Sequence, residues 1–511
     1  MTQPASPAID DVLTSPQPRR EAGTGSYLAA TIVILAVLTI VRIIGLRFSM
    51  TDLFYDEAQY WSWSRELALG YYTKPPLLAW VIAAARHVCG DAEWCVRAPS
   101  PLFYAATSLL TYAIGRRLYD ERAGFWAALL TALATGAVFS ARIISTDVPL
   151  LFFWSLALLA YVNLLDAPSR RWAVVLGASI GLGMLAKYAM IYFLPGVALA
   201  ALFSKRARRM LVRSDVWLAL LVAVVVLAPN IIWNASNGFA TVEHTGDLVL
   251  GEPTHLSIMR TLQFLAGQFG VFGPIEFTLM IYALVRLGSP ATAEQDRILV
   301  AFFIPALAVV AGFAFVAKAN DNWAAVSFVS GVVLTAALLA RWQAKWWMAA
   351  TVAFGLVVQV ALIGADAVAD RLSTASFHNP YKRTIGMRQY ADAVGAVARK
   401  VGAKTIVTDS RADFSDLEYY WRDRPEQVLW WRRIEVPSFS LKEALTQNSA
   451  EPVLFINGCD RLDAVRKVYA VAQPLGRFTV PIGSVATNGE RDFYAFLLSG
   501  ARGPIPPFSG C

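Results

Sequence analysis

The 511-residue chain is 56% hydrophobic and only 16% charged, with a mean hydropathy of +0.48, a balance that excludes an ordinary soluble enzyme and fits a multi-pass membrane protein. Its net charge of +8 does not point to nucleic acid, because the basic residues fall in short loops between apolar runs, where membrane topology accounts for them.

In chain order, residues 1–26 are rich in Pro, Ser, Thr and Ala, carry Arg19 and Arg20, and lack an apolar signal region with a cleavage site. They read as a disordered cytoplasmic tail before an uncleaved anchor. Apolar runs of membrane-spanning length then predict eleven helices, at about 27–47, 99–115, 124–141, 149–165, 172–187, 189–203, 215–234, 260–285, 298–316, 323–340 and 346–366. Clustered Lys and Arg keep a loop cytoplasmic. Arg116 and Arg117, Arg170 and Arg171, Lys205 to Arg209, Arg286 with Arg297, and Arg341 with Lys345 occupy every second loop. The opposite loops, 48–98, RIISTDVP, LAKYAM, 235–259 and KANDN, are therefore expected outside the cytoplasm together with the C-terminal end.

The 48–98 loop has the spacing of two short amphipathic helices, DEAQYWSWSREL and PLLAWVIAAARHV, expected to lie on the membrane surface. Cys89 and Cys95 in it are open to either a disulfide or two free thiols. Cys459 and Cys511 lack a spacing that argues for a metal. Beyond residue 366 the composition turns soluble: helical stretches alternate with the β-type runs TIVTD and PVLFIN, the pattern of a small α/β domain. No Gly-rich loop follows either run, which argues against a nucleotide site. The expected organisation is a tail (1–26), a transmembrane catalytic domain (27–366) and an external α/β domain (367–511).

Candidate chemistry gathers on the external side. Asp56 and Glu57 begin a helix, where a carboxylate is favoured whatever its function. Asp147 lies at a membrane edge, five residues after Arg142, and an acid so placed faces a polar cavity. The cations on the same side are Lys74, Arg142, Lys187 and Lys318. Each alone is explained by snorkelling, but together they run against the positive-inside bias, and a phosphate at the level of the lipid headgroups accounts for them. Pro75 and Pro76 keep the backbone beside Lys74 extended. His244, next to Glu243, is a weak metal candidate, since adjacent residues diverge on a helix or strand.

The ordered motifs YDEAQYW, GYYTKPPL, RIISTDVPLLFF, GLGMLAKY and KANDNW, over about residues 30 to 340, strongly resemble the bacterial dolichyl-phosphate-mannose-type protein mannosyltransferases and their aminoarabinose and galacturonosyl transferase relatives, which are glycosyltransferases of the C superfamily (GT-C, family 39/83 type). NPYKRTIGMRQYADAV and TIVTDSRADFSDLEYYW resemble the extra-membrane part of some bacterial members. The resemblance implies transfer of one sugar from a polyprenyl-phosphate donor to a glycan, lipid or protein acceptor at the outer face of the cytoplasmic membrane. It also implies Asp56 as the principal acid with Asp147 second and Glu57 beside them, and Lys74, Arg142, Lys187 and Lys318 on the donor phosphate.

The aromatic and polar side chains Tyr55, Tyr60, Tyr72, Tyr188 and Asn322 are candidate substrate contacts, although interface anchoring is the ordinary role of such tyrosines and of Trp61 and Trp63. One departure concerns the residue before the motif lysine. It is an acid thought to join a metal site in aminoarabinose transferases, and Thr73 here, so no cofactor is required and a divalent metal has little support. The rival readings are a transporter or lipid flippase, for which an internal repeat is missing, and a non-catalytic scaffold.

Overall fold

The computed structural model describes residues 26–239, 241, 246, 256–374, 378–433 and 444–508. Its apolar part is helical: α1 (Ser26–Arg47), α2 (Tyr55–Arg65), α3 (Leu77–Cys89), α4 (Pro99–Leu118), α5 (Glu121–Leu133), α6 (Asp147–Asp166), α7 (Arg170–Ala186) and α8 (Phe193–Phe203). There follow α9 (Ser214–Ser236), α10 (Ile258–Phe272), α11 (Pro274–Val285), α12 (Glu294–Val316), α13 (Ser327–Arg341) and α14 (Lys345–Ala367). Among the described residues five helices are long and apolar enough to cross a membrane, namely α1, α6, α9, α12 and α14. The chain is a multi-pass membrane protein built on them.

Local chemistry sets the ends and breaks of these helices. Asp120 caps α5, its carboxylate accepting from the Ala123 N–H at 2.7 Å, which satisfies a donor the helix itself cannot. The apolar run at 260–285 is two helices, because Gly273 takes φ 109°, a conformation open to glycine, and Pro274 then starts α11. The run at 124–141 is divided too, at Ala134, where α5 gives way to the short helix Thr135–Ser140. α4 and α5 approach so closely that a Cβ on Gly115 would stand 2.9 Å from the Cα of Gly124, small residues letting backbones meet as in other membrane bundles. α6 runs through the centre and α9 along the periphery: 72% of the apolar window of the first is buried against 11% of the second. Arg42 ties α1 to the bundle, its Nε donating to Gln359 Oε1 at 2.7 Å.

Five strands of the C-terminal part form a mixed sheet with strand order β2-β1-β3-β5-β4: β1 (Thr405–Thr408), β2 (Gln427–Trp430), β3 (Val453–Asn457), β4 (Tyr469–Pro481) and β5 (Glu490–Ala501). β1 pairs in parallel with β2 and β3, and β5 runs antiparallel to β3 and β4. The helices α15 (Met387–Val401) and α16 (Arg411–Tyr420) complete the unit.

This unit sits on the 48–98 loop. The Leu53 N–H donates to Tyr420 Oη at 2.8 Å, the Met387 N–H to Asp52 Oδ2 at 2.8 Å, and Ser62 Oγ to Glu418 Oε1 at 2.8 Å. Trp61 meets Tyr419 edge to face at 4.9 Å. The expectation that α2 lies on the membrane surface is corrected here. Tyr60, Trp61, Trp63 and Tyr71 are buried in a core shared with α3 and α16, so these rings fill the loop rather than anchor it to lipid. Cys89 and Cys95 form a disulfide, which decides between the two alternatives left open by the sequence.

Candidate active site

Two connected lobes open between the bundle and the loop. The first, about 520 Å³, is mainly apolar, with Phe139, Ile143, Leu151, Val271, Ala325 and Phe328 in its walls and Asp147 and Asn322 at one side. The second, about 720 Å³, also has mostly apolar walls but carries the charged and polar side chains Asp56, Tyr60, Arg142, Asp366, Tyr381 and Arg383. Phe139, Ile143, Ser145 and Asn322 border both. An apolar slot that runs into a charged chamber suits a molecule with a greasy tail and an anionic head.

Asp56 is the second residue of α2 and faces the polar lobe. Its Oδ1 accepts from Arg411 Nη2 at 2.5 Å, a residue at the start of α16. The same guanidinium lies 5.2 Å from the centre of the Tyr55 ring and donates through Nε to Gln59 Oε1 at 3.0 Å. Asp147 opens α6. Lys187 Nζ donates to its Oδ1 at 2.7 Å, and Asn322 Nδ2 to its Oδ2 at 2.8 Å. Lys74 lies close enough to Lys187, Asp56, Arg411 and Asp147 to feel all four charges; burial first and then Lys187 hold its ammonium below the ordinary lysine pKa. The Tyr60 phenol is pushed well above its usual range, mainly by burial and then by the Asp56 charge, so it stays a neutral hydroxyl at the cavity wall.

The candidate residues thus divide. Asp56, Tyr60, Asp147 and Asn322 line the lobes; Lys187 is tied to Asp147, Tyr55 lies under the Arg411 guanidinium and Lys74 feels the charges of Lys187, Asp56 and Asp147, though these three line neither lobe. Arg142 reaches the polar lobe too, but it is bound to Asp366 and donates to Tyr381 Oη at 3.2 Å, so much of its charge is already matched.

Glu57 has a different place from the one expected. Its carboxylate accepts from Arg97 Nε at 2.9 Å and Nη2 at 2.6 Å, and from the N–H groups of Phe54 and Ile144, both at 2.9 Å. With both side chains 3% exposed, Glu57 is a structural clamp from the loop to the bundle, its lone pairs spent. Tyr188 turns to the asparagines of α9, donating to Asn230 Oδ1 at 2.9 Å. Lys318 is exposed and lines neither lobe. Tyr72 is half-buried and outside both linings. His244 and Glu243 lie outside the described residues.

A divalent metal at the position before Lys74 does not fit the residues there. The Thr73 side chain is a neutral hydroxyl, buried without a hydrogen-bond partner among the described residues, next to Lys74 in the sequence. Those residues hold no group of three His, Cys, Asp or Glu that could bind a metal.

Arg411, Gln59 and Arg383 are absent from the sequence-based candidates. Gln59 was within reach: three residues after Asp56 it falls on the same helix face. Arg411, in a different domain, left no local signal.

A membrane helix bundle with an acid-and-cation chamber under an α/β unit is the architecture of a GT-C glycosyltransferase. The fold of ArnT from Cupriavidus metallidurans bound to undecaprenyl phosphate superposes with a TM-score of 0.66 over 92% of this chain and 98% of that one, at 15% identity. The model of the dolichyl-phosphate-mannose-protein mannosyltransferase family matches residues 73–233. Lipid A galacturonosyltransferase RgtD of Rhizobium johnstonii is 36% identical over 406 residues, 78% of this chain and 84% of its own. An undecaprenyl phosphate-alpha-4-amino-4-deoxy-L-arabinose arabinosyl transferase of Pseudomonas paraeruginosa is 35% identical over 170 residues, 32% of this chain and 31% of its own. The chain belongs to this family of GT-C glycosyltransferases, and it is a glycosyltransferase.

Proposed function

We propose that the protein moves one sugar from a polyprenyl-phosphate donor to a lipid A or core glycan acceptor at the outer face of the cytoplasmic membrane. The observation that carries this reading is that the apolar lobe and the charged one adjoin at Phe139, Ile143, Ser145 and Asn322. A prenyl chain in the first lobe brings its phosphate to Lys74 and Lys187 and its sugar to Asp56. A lipid A galacturonosyltransferase and aminoarabinose transferases among the relatives, and a fold shared with a protein solved on undecaprenyl phosphate, support both donor and acceptor.

In this reading the bond from sugar carbon one to the phosphate oxygen breaks, and the polyprenyl phosphate leaves with its charge held by Lys74 and Lys187, fixed cations in a partly dry chamber. A new bond forms from carbon one to an acceptor oxygen. With a hydroxyl acceptor, Asp56 takes its proton and attack from the opposite face inverts the anomeric carbon. With a phosphate acceptor no proton moves, and Asp56 orients the acceptor. Asp147 holds Lys187 in place. The topology follows the basic loops: tail cytoplasmic, eleven spans, and residues 367–511 outside, next to the chamber they cover.

Mass spectrometry of lipid A and core glycan from cells with and without the protein tests this. Loss of one sugar residue in its absence is expected; identical glycolipid masses in the two strains contradict the reading.

A further inference from the structure

We propose that Asn230, on the outer helix α9, is a positioning residue for the donor phosphate: its side-chain amide ties the loop of Lys74 to the turn of Lys187 and so sets the spacing of the two lysines. The inference rests on the glycosyl-transfer reading above, in which both lysines hold that phosphate, and adds the group that places them.

The amide has both ends in use. Its Oδ1 accepts from Tyr188 Oη at 2.9 Å, on the residue after Lys187. Its Nδ2 donates to the Leu69 carbonyl at 2.7 Å, in the loop that leads to Lys74. Asn234, one turn further along α9, donates from Nδ2 to Tyr188 Oη at 3.3 Å and to the Asn230 carbonyl at 3.0 Å.

Each segment is stiff between that bond and its lysine. On the loop side the Tyr71 N–H closes a turn on the Lys74 carbonyl at 3.2 Å, and the Tyr71 ring stacks on Trp63 with centres 4.6 Å apart. Gly70 lies so close to α9 that a Cβ there would stand 2.3 Å from the Trp233 ring, so a glycine is what lets the loop reach Asn230. On the other side the Lys187 N–H donates to the Gly183 carbonyl at 2.9 Å, and the Lys187 carbonyl accepts from the Met190 N–H at 3.1 Å. These bonds fix the backbone between α7 and the 3-10 turn Tyr188–Tyr192. A shift at Asn230 is therefore passed to both lysines.

The rest of α9 gives no other reason for amides. Only 11% of its apolar window is buried, and the residues it buries are Asp215, Ala219, Ala223, Asn230 and Asn234. Polar side chains in a membrane helix carry an insertion cost that apolar residues avoid. Among the described residues, the side chains of Asn230 and Asn234 bond to the two lysine-bearing segments and to α9 itself. Spacing matters at the lysines because Lys74 is faced by Lys187, Asp56, Arg411 and Asp147 together, and charge-assisted bonds to a phosphate depend on geometry.

The test uses full-length protein in lipid nanodiscs and measures the Kd of undecaprenyl phosphate from about pH 8 to 10.5, where the phosphate monoester stays dianionic while lysines titrate. The Kd of lipid A is measured at the lower end of that range. Asn230→Ala should weaken undecaprenyl phosphate about tenfold and change lipid A by less than about twofold, the size of effect that lost positioning bonds give. Its alkaline loss of undecaprenyl phosphate should also move to higher pH. Burial and then Lys187 hold the Lys74 ammonium below its ordinary pKa, and a loosened loop relieves both. Tyr188→Phe removes one hydroxyl and keeps the ring, so it should move both readouts the same way by less; it also serves as the test if Asn230→Ala does not fold. In a Lys187→Ala background the Asn230→Ala change should cost much less than in wild type, since the lysine pair is already broken. Unchanged undecaprenyl phosphate binding in Asn230→Ala and Tyr188→Phe, equal losses for undecaprenyl phosphate and lipid A, or the full loss in the Lys187→Ala background overturns the positioning role. Absence of undecaprenyl phosphate binding by wild type overturns the donor reading and the inference with it.

Discussion

Asp56 and Arg411, separated by 355 residues in the sequence, are bound to each other at 2.5 Å. The pair joins the loop after the first membrane helix to the start of α16 in the sheet-bearing domain. The guanidinium occupies Asp56 Oδ1, so in the proposed reaction that oxygen reaches an acceptor only when the contact is released. The contact therefore makes the C-terminal domain part of the chamber, and it sets the terms of the predictions that follow.

Replacing Asp56 by Asn keeps the shape of the side chain and removes its charge and its capacity to take a proton. Positioned general bases contribute about 10²–10⁴-fold. We expect transfer to a hydroxyl acceptor to fall by about that factor, with the thermal unfolding midpoint little changed because Asp56 is only partly buried. Single-turnover kinetics beside thermal unfolding in detergent read both effects. A large loss of stability together with activity would reassign Asp56 to a structural role.

In the proposed reaction Lys74 holds the donor phosphate, which it does only in its ammonium form. Burial and Lys187 lower its pKa below the 10.5 of an ordinary lysine. The sign follows: donor affinity is full well below that lowered pKa and is lost as pH rises through it, at a lower pH than for an exposed lysine. Lys74→Arg, charged throughout, should flatten the alkaline limb, and Lys74→Ala should raise donor KM about tenfold or more with acceptor KM nearly constant. Donor KM measured against pH for the three proteins checks this, and matching alkaline limbs in wild type and Lys74→Arg would rule Lys74 out.

Glu57 is assigned to stability. Glu57→Gln leaves Arg97 charged in a setting where both side chains are 3% exposed, and breaking such a pair from one side costs about 3–5 kcal/mol. A clearly lower unfolding midpoint is expected, with chemistry per folded molecule largely kept. The double variant Glu57→Gln/Arg97→Met should lose less than the sum of the two single changes, since residues in direct contact couple. Normal stability with abolished turnover in Glu57→Gln would return it to the catalytic set.

The apolar lobe is assigned to the prenyl chain. Ala325 lies in its wall, and Ala325→Phe fills space there without adding a charge. Donors with a long prenyl tail should lose about tenfold in kcat/KM, whereas a donor with a tail of two isoprene units should be used nearly as before. Equal losses for both tails would place the chain elsewhere.

What the sequence disclosed and what it hid divide along physical lines. The apolar runs and the β-type runs at 405–409 and 452–457 are local signals, and each corresponds to helix or strand in the structure. Asp56 likewise falls at the start of a helix. The broken helices at Ala134 and Gly273 were hidden because hydropathy averages over a kink. The aromatic residues of α2 were taken for membrane anchors because periodicity reports an apolar face and not its partner; that partner, α16, lies more than 350 positions away. Arg411 was missed for the same reason, since the sequence around it describes the start of a soluble helix and carries no mark of the membrane loop it reaches.

The central claim is that Asp56 and Lys74 belong to one chamber that cleaves a polyprenyl-phosphate sugar. Its most direct measurement is release of undecaprenyl phosphate from a radiolabelled undecaprenyl-phosphate sugar by the purified protein in the presence of lipid A, for wild type, Asp56→Asn and Lys74→Ala side by side. We predict one undecaprenyl phosphate released per sugar joined to lipid A in wild type, with both quantities lost together in the two variants. Transfer at the wild-type rate in Asp56→Asn, or no release by wild type with any polyprenyl-phosphate sugar, would contradict the account.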